Sequence, residues 1–317
     1  MTADMPSGWA DFTWHSWQDL ALVRARLAAG ADPHEAALSH EAPLHAAAGR
    51  GSPEVVAELA RRVRDVDAEH DGRTALWVAV FNDRPDNARA LVAAGADPWR
   101  PMMAGWSPGR LSLAGPTPGL FFPFPAGHAG LTEAEAAAVA EADRLIGMLG
   151  DIQGDGFGLA CVRGVSAAEA ARRLAAEPVD DEELDEILDD PFDEDDAMRI
   201  VGFADMPGGC VVSQEYGYMP FTPVVMRLLS AGTVAYGMYA NPKSGNQGCA
   251  YRDGEVVAGD THPGGDDAST TDSAEEILLK YLYAGRAEAY CYAAAGLRPA
   301  VAAPETLLRL PERDYWT

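Results

Sequence analysis

With 317 residues the chain is long enough for about two domains of ordinary size. Its formal net charge of -25 at pH 7 works against the clustered basic contacts that nucleic acid requires, and against binding to anionic membranes. A basic partner suits that charge, as does solubility alone.

Only Lys243 and Lys280 are lysines among the 24 basic residues, which together with the abundant Ala and Gly points to a GC-rich bacterial genome. The N-terminus MTADMPSGWADFTWHSW has acids and tryptophans where a signal peptide needs a basic start and an apolar run. No stretch reaches the roughly 18–20 uninterrupted apolar residues of a membrane span, so a cytoplasmic location is expected. Cys161, Cys210, Cys249 and Cys291 stand far apart without C-x-x-C or histidine spacing. Free thiols are expected, with no metal, no disulfide framework and no cofactor.

The first half repeats. Gly30-Ala31-Asp32-Pro33 recurs as Gly95-Ala96-Asp97-Pro98, 65 residues on, with Asp65-Val66-Asp67 as a degenerate copy midway. Pro43-Leu44-His45-Ala46-Ala47 aligns with Ala75-Leu76-Trp77-Val78-Ala79 at a shift of 32. These segments resemble the T-P-L-H-x-A signature of ankyrin repeats, whose period is about 33. Within a unit, a first helix is expected to stop at Gly49 in the left-handed conformation. Ser52 then caps a second helix, with Pro53 at its first position and Val55, Val56 and Leu59 as its apolar stripe. One such pair cannot bury its apolar face alone, so the units must stack. A capping element (9–33), two clear units (39–70 and 72–98) and a degenerate fourth at Gly105-Trp106-Ser107-Pro108 are expected. Pro116, Pro118, Pro123 and Pro125 end any helix there. A helix over 131–149, with Thr132 and Glu135 at capping-box spacing, is expected to seal the stack.

The resemblance implies protein binding through the hairpin tips and the concave surface of the first helices. By position, the candidates are His40 and Glu41, Asp71 and Arg73, then Trp99, Arg100 and Trp106. Exposed tryptophan and arginine suit interface hot spots, although Trp99 and Trp106 could instead pack against the next domain across the Pro-rich segment. His45, at the signature histidine, is expected to be structural.

The second half reads as an α+β domain with a mainly antiparallel sheet, 152–317 following repeats over 9–149. Strands are expected at 157–164, 200–205, 209–214, 234–240, 249–252 and 255–258, the last two turning at Asp253-Gly254. Helices are expected after Ser166, near 222–229, and from Ser273 onward. Glu215-Tyr216-Gly217, the helix ending Leu229-Ser230-x-Gly232, Asn241, and the Asp253-Gly254 turn resemble an uncharacterised domain of GC-rich bacteria. That resemblance implies a fold and no reaction.

An acidic insertion, 180–196, holds twelve acidic residues among seventeen. Asp180, Asp181, Glu182, Glu183, Asp185, Glu186, Asp189 and Asp190 make up its first part, where Leu184, Ile187 and Leu188 allow a short amphipathic helix. It reads either as a solvated insertion or as a surface that neutralises a basic partner. Glu215 with Asn241 or Asn246, and Asp260 with His262, are the candidates for a pocket in this half, and neither set makes a catalytic constellation. The reading is a two-domain protein: an all-α ankyrin solenoid that binds proteins, followed by the α+β domain. A neutraliser or immunity-type partner of a basic protein is its narrower form. The rival reading is a small-molecule-sensing or enzymatic α+β domain targeted by an ankyrin arm.

Overall fold

The computed structural model describes residues 8–35, 41–150, 156–180, 182, 184, 197–260, 263–264, 267–300 and 305–315. In chain order the first half contains α1 (Leu20–Ala28), α2 (Pro43–Arg50), α3 (Pro53–Ala60), β1 (Glu69–His70), β2 (Arg73–Thr74), α4 (Ala75–Phe81), α5 (Pro85–Ala93), α6 (Pro108–Ser112) and α7 (Glu133–Leu149). There follow β3 (Gly158–Arg163), α8 (Ala167–Leu174), β4 (Glu177–Pro178), β5 (Ile200–Met206), β6 (Gly209–Gln214) and α9 (Pro223–Leu229). The chain then forms β7 (Val234–Asn241), β8 (Gly245–Arg252), β9 (Glu255–Asp260), α10 (Ala274–Leu282), α11 (Ala287–Ala295) and β10 (Thr306–Arg309). Two compact units result: Met1–Val139 with Asp267–Leu282, and Ala140–Asp266 with Tyr283–Thr317.

In the first unit the helices stack as pairs, α2 with α3 and α4 with α5, and α2 lies against α4. Ser52, Thr74 and Ser107 cap the helices that follow them, each hydroxyl accepting the backbone N–H three residues on. The left-handed stop expected at Gly49 is not formed. Helix α2 runs on to Arg50 and ends at Gly51, whose φ is -81°. Both glycines serve close packing instead: a Cβ on Gly49 would sit 3.1 Å from Val78, and one on Gly51 would sit 2.7 Å from the Ala47 carbonyl. Trp9, Phe12 and Trp17 close the N-terminal end as a buried aromatic trio, with Trp9 and Trp17 stacked at 5.5 Å. Glu135 and Thr132 form the expected capping box at the start of α7.

The second unit holds an eight-stranded sheet among the described residues, in the order β4-β10-β5-β6-β3-β7-β8-β9, every neighbouring pair antiparallel. Strand alternation divides its faces. Ala160, Val162, Val201, Phe203, Cys210, Val212 and Ala235 point to one side and pack with Val225, Met226 and Leu229 of α9 and Ala170 and Leu174 of α8. Gly237 admits Met226 there, since a Cβ would lie 2.7 Å from its sulfur. Helix α11 packs on β3 and β7. Strands covered on both faces read as nearly continuous apolar runs, as Gly158–Arg163 does. The Asp253-Gly254 turn joins β8 to β9 with both residues at positive φ, 52° and 82°. The four cysteines are free, with Cys161, Cys210 and Cys291 buried.

Between adjacent repeats the Asn87 carboxamide, buried on α5, donates to the carbonyls of Ala47 (3.3 Å), Ala48 (3.0 Å) and Gly51 (3.0 Å) at the end of α2. Replacing Asn87 with Ala leaves these carbonyls short of a donor, so Asn87→Ala is expected to lower the unfolding free energy by about 2 kcal/mol. Urea denaturation checks it, and an unshifted midpoint would contradict the role assigned to this side chain.

Candidate functional site

A recurring device builds the tips of the first unit. Asp32, Asp65 and Asp97 each accept, through a carboxylate oxygen, the backbone N–H two residues on, from His34 (2.9 Å), Asp67 (3.0 Å) and Trp99 (2.9 Å). Such Asx turns need a short carboxylate at that position, which accounts for the Asp in each copy of the repeat. The Asp67 carboxylate also accepts the Asp97 N–H, tying one tip to the next. Between them β1 and β2 form a hairpin turning at Asp71 and Gly72, with φ of 51° and 73°.

The tip candidates fall on this framework, though not as one free surface. His40 lies outside the described residues. Glu41 is half-buried and paired with Arg50 at 2.8 Å. Asp71 stands exposed at the hairpin turn. The Arg73 guanidinium pairs with Asp267, and its carbonyl meets His45 Nε2 at 2.9 Å. Arg100 reaches back to the Asp67 carbonyl (3.0 Å) and pairs with Glu69 (2.5 Å). Trp99 is half-buried, its ring set edge-on to Phe124 at 5.0 Å and near Phe121 and His128. Trp106 is fully buried, so it presents no surface to a partner: its indole N–H donates to the Ala274 carbonyl (3.0 Å) and its face carries the Arg110 guanidinium. Sequence spacing carried no sign of the ion pairs of Glu41, Arg73 and Arg100, whereas packing of the two tryptophans was one of its two readings. His45 is structural, and burial lowers its pKa.

All seven residues of α4 are buried, with α2, α5, α6 and β2 packed against it. The segment 267–282 joins the same core. Ala268, Ile277, Leu278 and Tyr281 enter the same core as Trp77 and Phe81, and the rings of Phe81 and Tyr281 lie 5.6 Å apart. Burial pushes the Tyr281 hydroxyl well above its ordinary range, and Asp83 adds to the effect.

In the second unit, Glu215 is exposed after β6. The Asn241 side-chain oxygen accepts the N–H groups of Lys243 (2.9 Å) and Ser244 (3.3 Å), which places it in the β7–β8 turn. Asp260 ends β9, and His262 lies outside the described residues. Of the acidic insertion, Asp180 and Glu182 are exposed, with Glu182 N–H donating to Asp180 (2.9 Å). Leu184 packs toward Ile200, while Asp181, Glu183, Asp185, Glu186, Asp189 and Asp190 lie outside the described residues.

A group missed in the sequence stands under α11. Glu288 Oε2 is buried and has no hydrogen-bond partner among the described residues, and burial pushes its carboxyl up to about 7. Burial also pushes the Cys161 thiol and the Tyr292 hydroxyl up, and the charge of Glu288 adds to both. The one signal was an acid inside the otherwise uncharged helix AEAYCYAAA.

Comparison with protein families matches residues 15–102 to ankyrin repeats, in three copies. This chain carries ankyrin repeats. Residues 149–281 match a family of unknown function (DUF6461). No curated protein matches the chain. Ankyrin repeats are a protein-binding scaffold, so the first unit has protein partners. The unknown-function match ends at Tyr281, within the helix that lies in the ankyrin core. Among the described residues no helix is long and apolar enough to cross a membrane, and no cluster of three or more His, Cys, Asp or Glu side chains is placed to hold a metal.

Glu288 makes a prediction about pH. In the unfolded chain its carboxyl ionises near 4.5, and in the folded chain near 7. Between those values the folded state keeps a proton that the unfolded state has released, so stability falls as pH rises through this window and stays lower above it. The variant Glu288→Gln is expected to match wild type at pH 4 and to exceed it by about 3 kcal/mol at pH 8. Parallel stability profiles for the two proteins would contradict the assignment.

Proposed function

We propose that the chain is an ankyrin-based binding protein for a basic protein partner, received along the hairpin tips with help from the acidic segment 180–196. The observation that carries this reading is the chemistry of the tips. Asp65, Asp67, Glu69, Asp71, Asp97 and Asp267 lie there with Arg64, Arg73 and Arg100, and the Arg73 and Arg100 guanidinium groups are already paired. Residues 15–102 as a whole hold 13 acidic and 10 basic residues, so this surplus belongs to the tips and not to the repeats in general. Asp71 and Asp65 are exposed, where a partner's Lys or Arg reaches them without breaking the internal pairs. Opposed charge of this kind steers encounter and selects partners more than it adds affinity. Neutralisation of a basic toxin, an immunity-type role, is the narrow form of this proposal.

A second reading has one observation in its favour. A carboxyl poised near pH 7 under α11, at Glu288, is the type of group that acid–base chemistry uses. It supports a small-molecule-sensing or enzymatic second domain with the ankyrin stack as its targeting arm.

Affinity capture from the source cell separates the two. The full chain is expected to retain a basic protein that elutes as salt shortens the Debye length from about 10 Å toward 3 Å. Reversing the tips with Asp65→Arg, Glu69→Arg and Asp71→Arg, or deleting 180–196, is expected to cut retention at least tenfold. Retention that ignores salt and both changes would overturn the reading.

A further inference from the structure

A segment from far along the chain, Asp267–Leu282, belongs to the compact unit of the repeats and packs into its core. Segment 267–282 enters at the hairpin tip, where Asp267 pairs with Arg73 and Thr270 occupies the space a Cβ on Gly72 would need. Its helix α10 packs against Met103–Gly105 and runs from the Ala274 carbonyl, bonded to the Trp106 indole (3.0 Å), to the Tyr281 ring on Phe81 (5.6 Å).

The segment carries its own means of staying helical. Ser273 and Glu276 cap it reciprocally, with N–H···O distances of 2.7 and 3.2 Å, and Lys280 pairs with Asp272 at 2.8 Å. It is held by the buried Ala268, Ile277, Leu278 and Tyr281, with Ala274 and Leu282 partly buried beside them, by the Trp106 indole bond, and by a partly exposed ion pair of the sort that adds little. An amphipathic helix laid in an apolar groove by anchors at i, i+1 and i+4 is a recurring mode of peptide recognition. The DUF6461 match, which ends at Tyr281, places the segment's sequence with the second domain and not with the repeats.

We infer that 267–282 is a tethered ligand of the ankyrin groove, and that the groove's external partner is an amphipathic helix of the same pattern. That pattern is an acidic residue for Arg73, a capped N-terminus, then two aliphatic residues and an aromatic at the spacing of Ile277, Leu278 and Tyr281. Such a helix binds by displacing the chain's own. The inference rests on the repeats being a binding module and does not depend on the partner's overall charge.

Two measurements on the full chain test it. In native-state hydrogen exchange, the amides of α10 are expected to exchange at least tenfold faster than those of α2, α4 and α5, because the segment leaves the groove without unfolding the repeats. A fluorescent peptide of residues 267–283 is expected to bind the full-length Ile277→Ala, Tyr281→Ala chain saturably and at least tenfold more tightly than wild type. Adding Arg73→Asp to that chain should weaken the peptide, and Asp267→Arg in the peptide should restore it. Exchange of α10 in step with α4 in the wild-type chain makes the segment an integral part of the core and overturns the inference, whether or not the variant folds. Fast exchange without saturable peptide binding overturns it equally. Either failure leaves the salt-sensitive capture of a basic protein untouched, so the two proposals fail separately.

Discussion

Helix α4 carries Trp77, Val78, Val80 and Phe81 among its seven residues, all buried, and is too apolar to leave a face in water. Leaving Trp77 or Phe81 wet would forfeit roughly 1.5–3 kcal/mol of burial for each large side chain. The chain meets that constraint with residues far along the sequence. Ile277, Leu278 and Tyr281 join the same core, and Trp106 binds the carbonyl of Ala274. The placement of Asp267 and the burial of Trp106 both follow from it.

The second unit solves a different problem. Its sheet has helices on both faces, α8 and α9 on one and α11 on the other, so the central strand β3 carries apolar or small residues at nearly every position. In such a sheet a polar group under a helix stands out. Glu288 is one, its carboxyl pushed up to about 7 by burial. Ser213 and Glu305 make another polar pair, their side chains hydrogen-bonded at 2.7 Å.

Local signals were legible in the sequence and non-local ones were not. The repeat period, the caps at Ser52 and Thr132, the Asp253-Gly254 turn and most strands of the sheet rest on residues within a few positions of each other, and the structure has them. Gly49 misled because a glycine near a helix end suits both a left-handed stop and close packing, and only the distance to Val78 decides between them. Strand β10 went unseen because its four residues pair with β5 a hundred residues earlier, and no periodicity marks so short a run. Trp106 looked like a tip residue because the loop that holds it is a tip. Its burial depends on α10, whose apolar pattern fits any surface helix and does not name its groove. The pocket candidates in the second half were chosen by residue type, whereas Glu288 is distinguished by what surrounds it.

The central claim is that the ankyrin stack is completed by a segment from the far end of the chain. It is tested most directly by the thermal stability of the chain cut after Gly150, measured by circular dichroism without and with a peptide of residues 267–283 in excess. The cut chain is expected to melt well below the first transition of the full chain, and the peptide is expected to raise that melting temperature in proportion to its occupancy. A cut chain that melts with the full-length protein, indifferent to the peptide, would contradict the account.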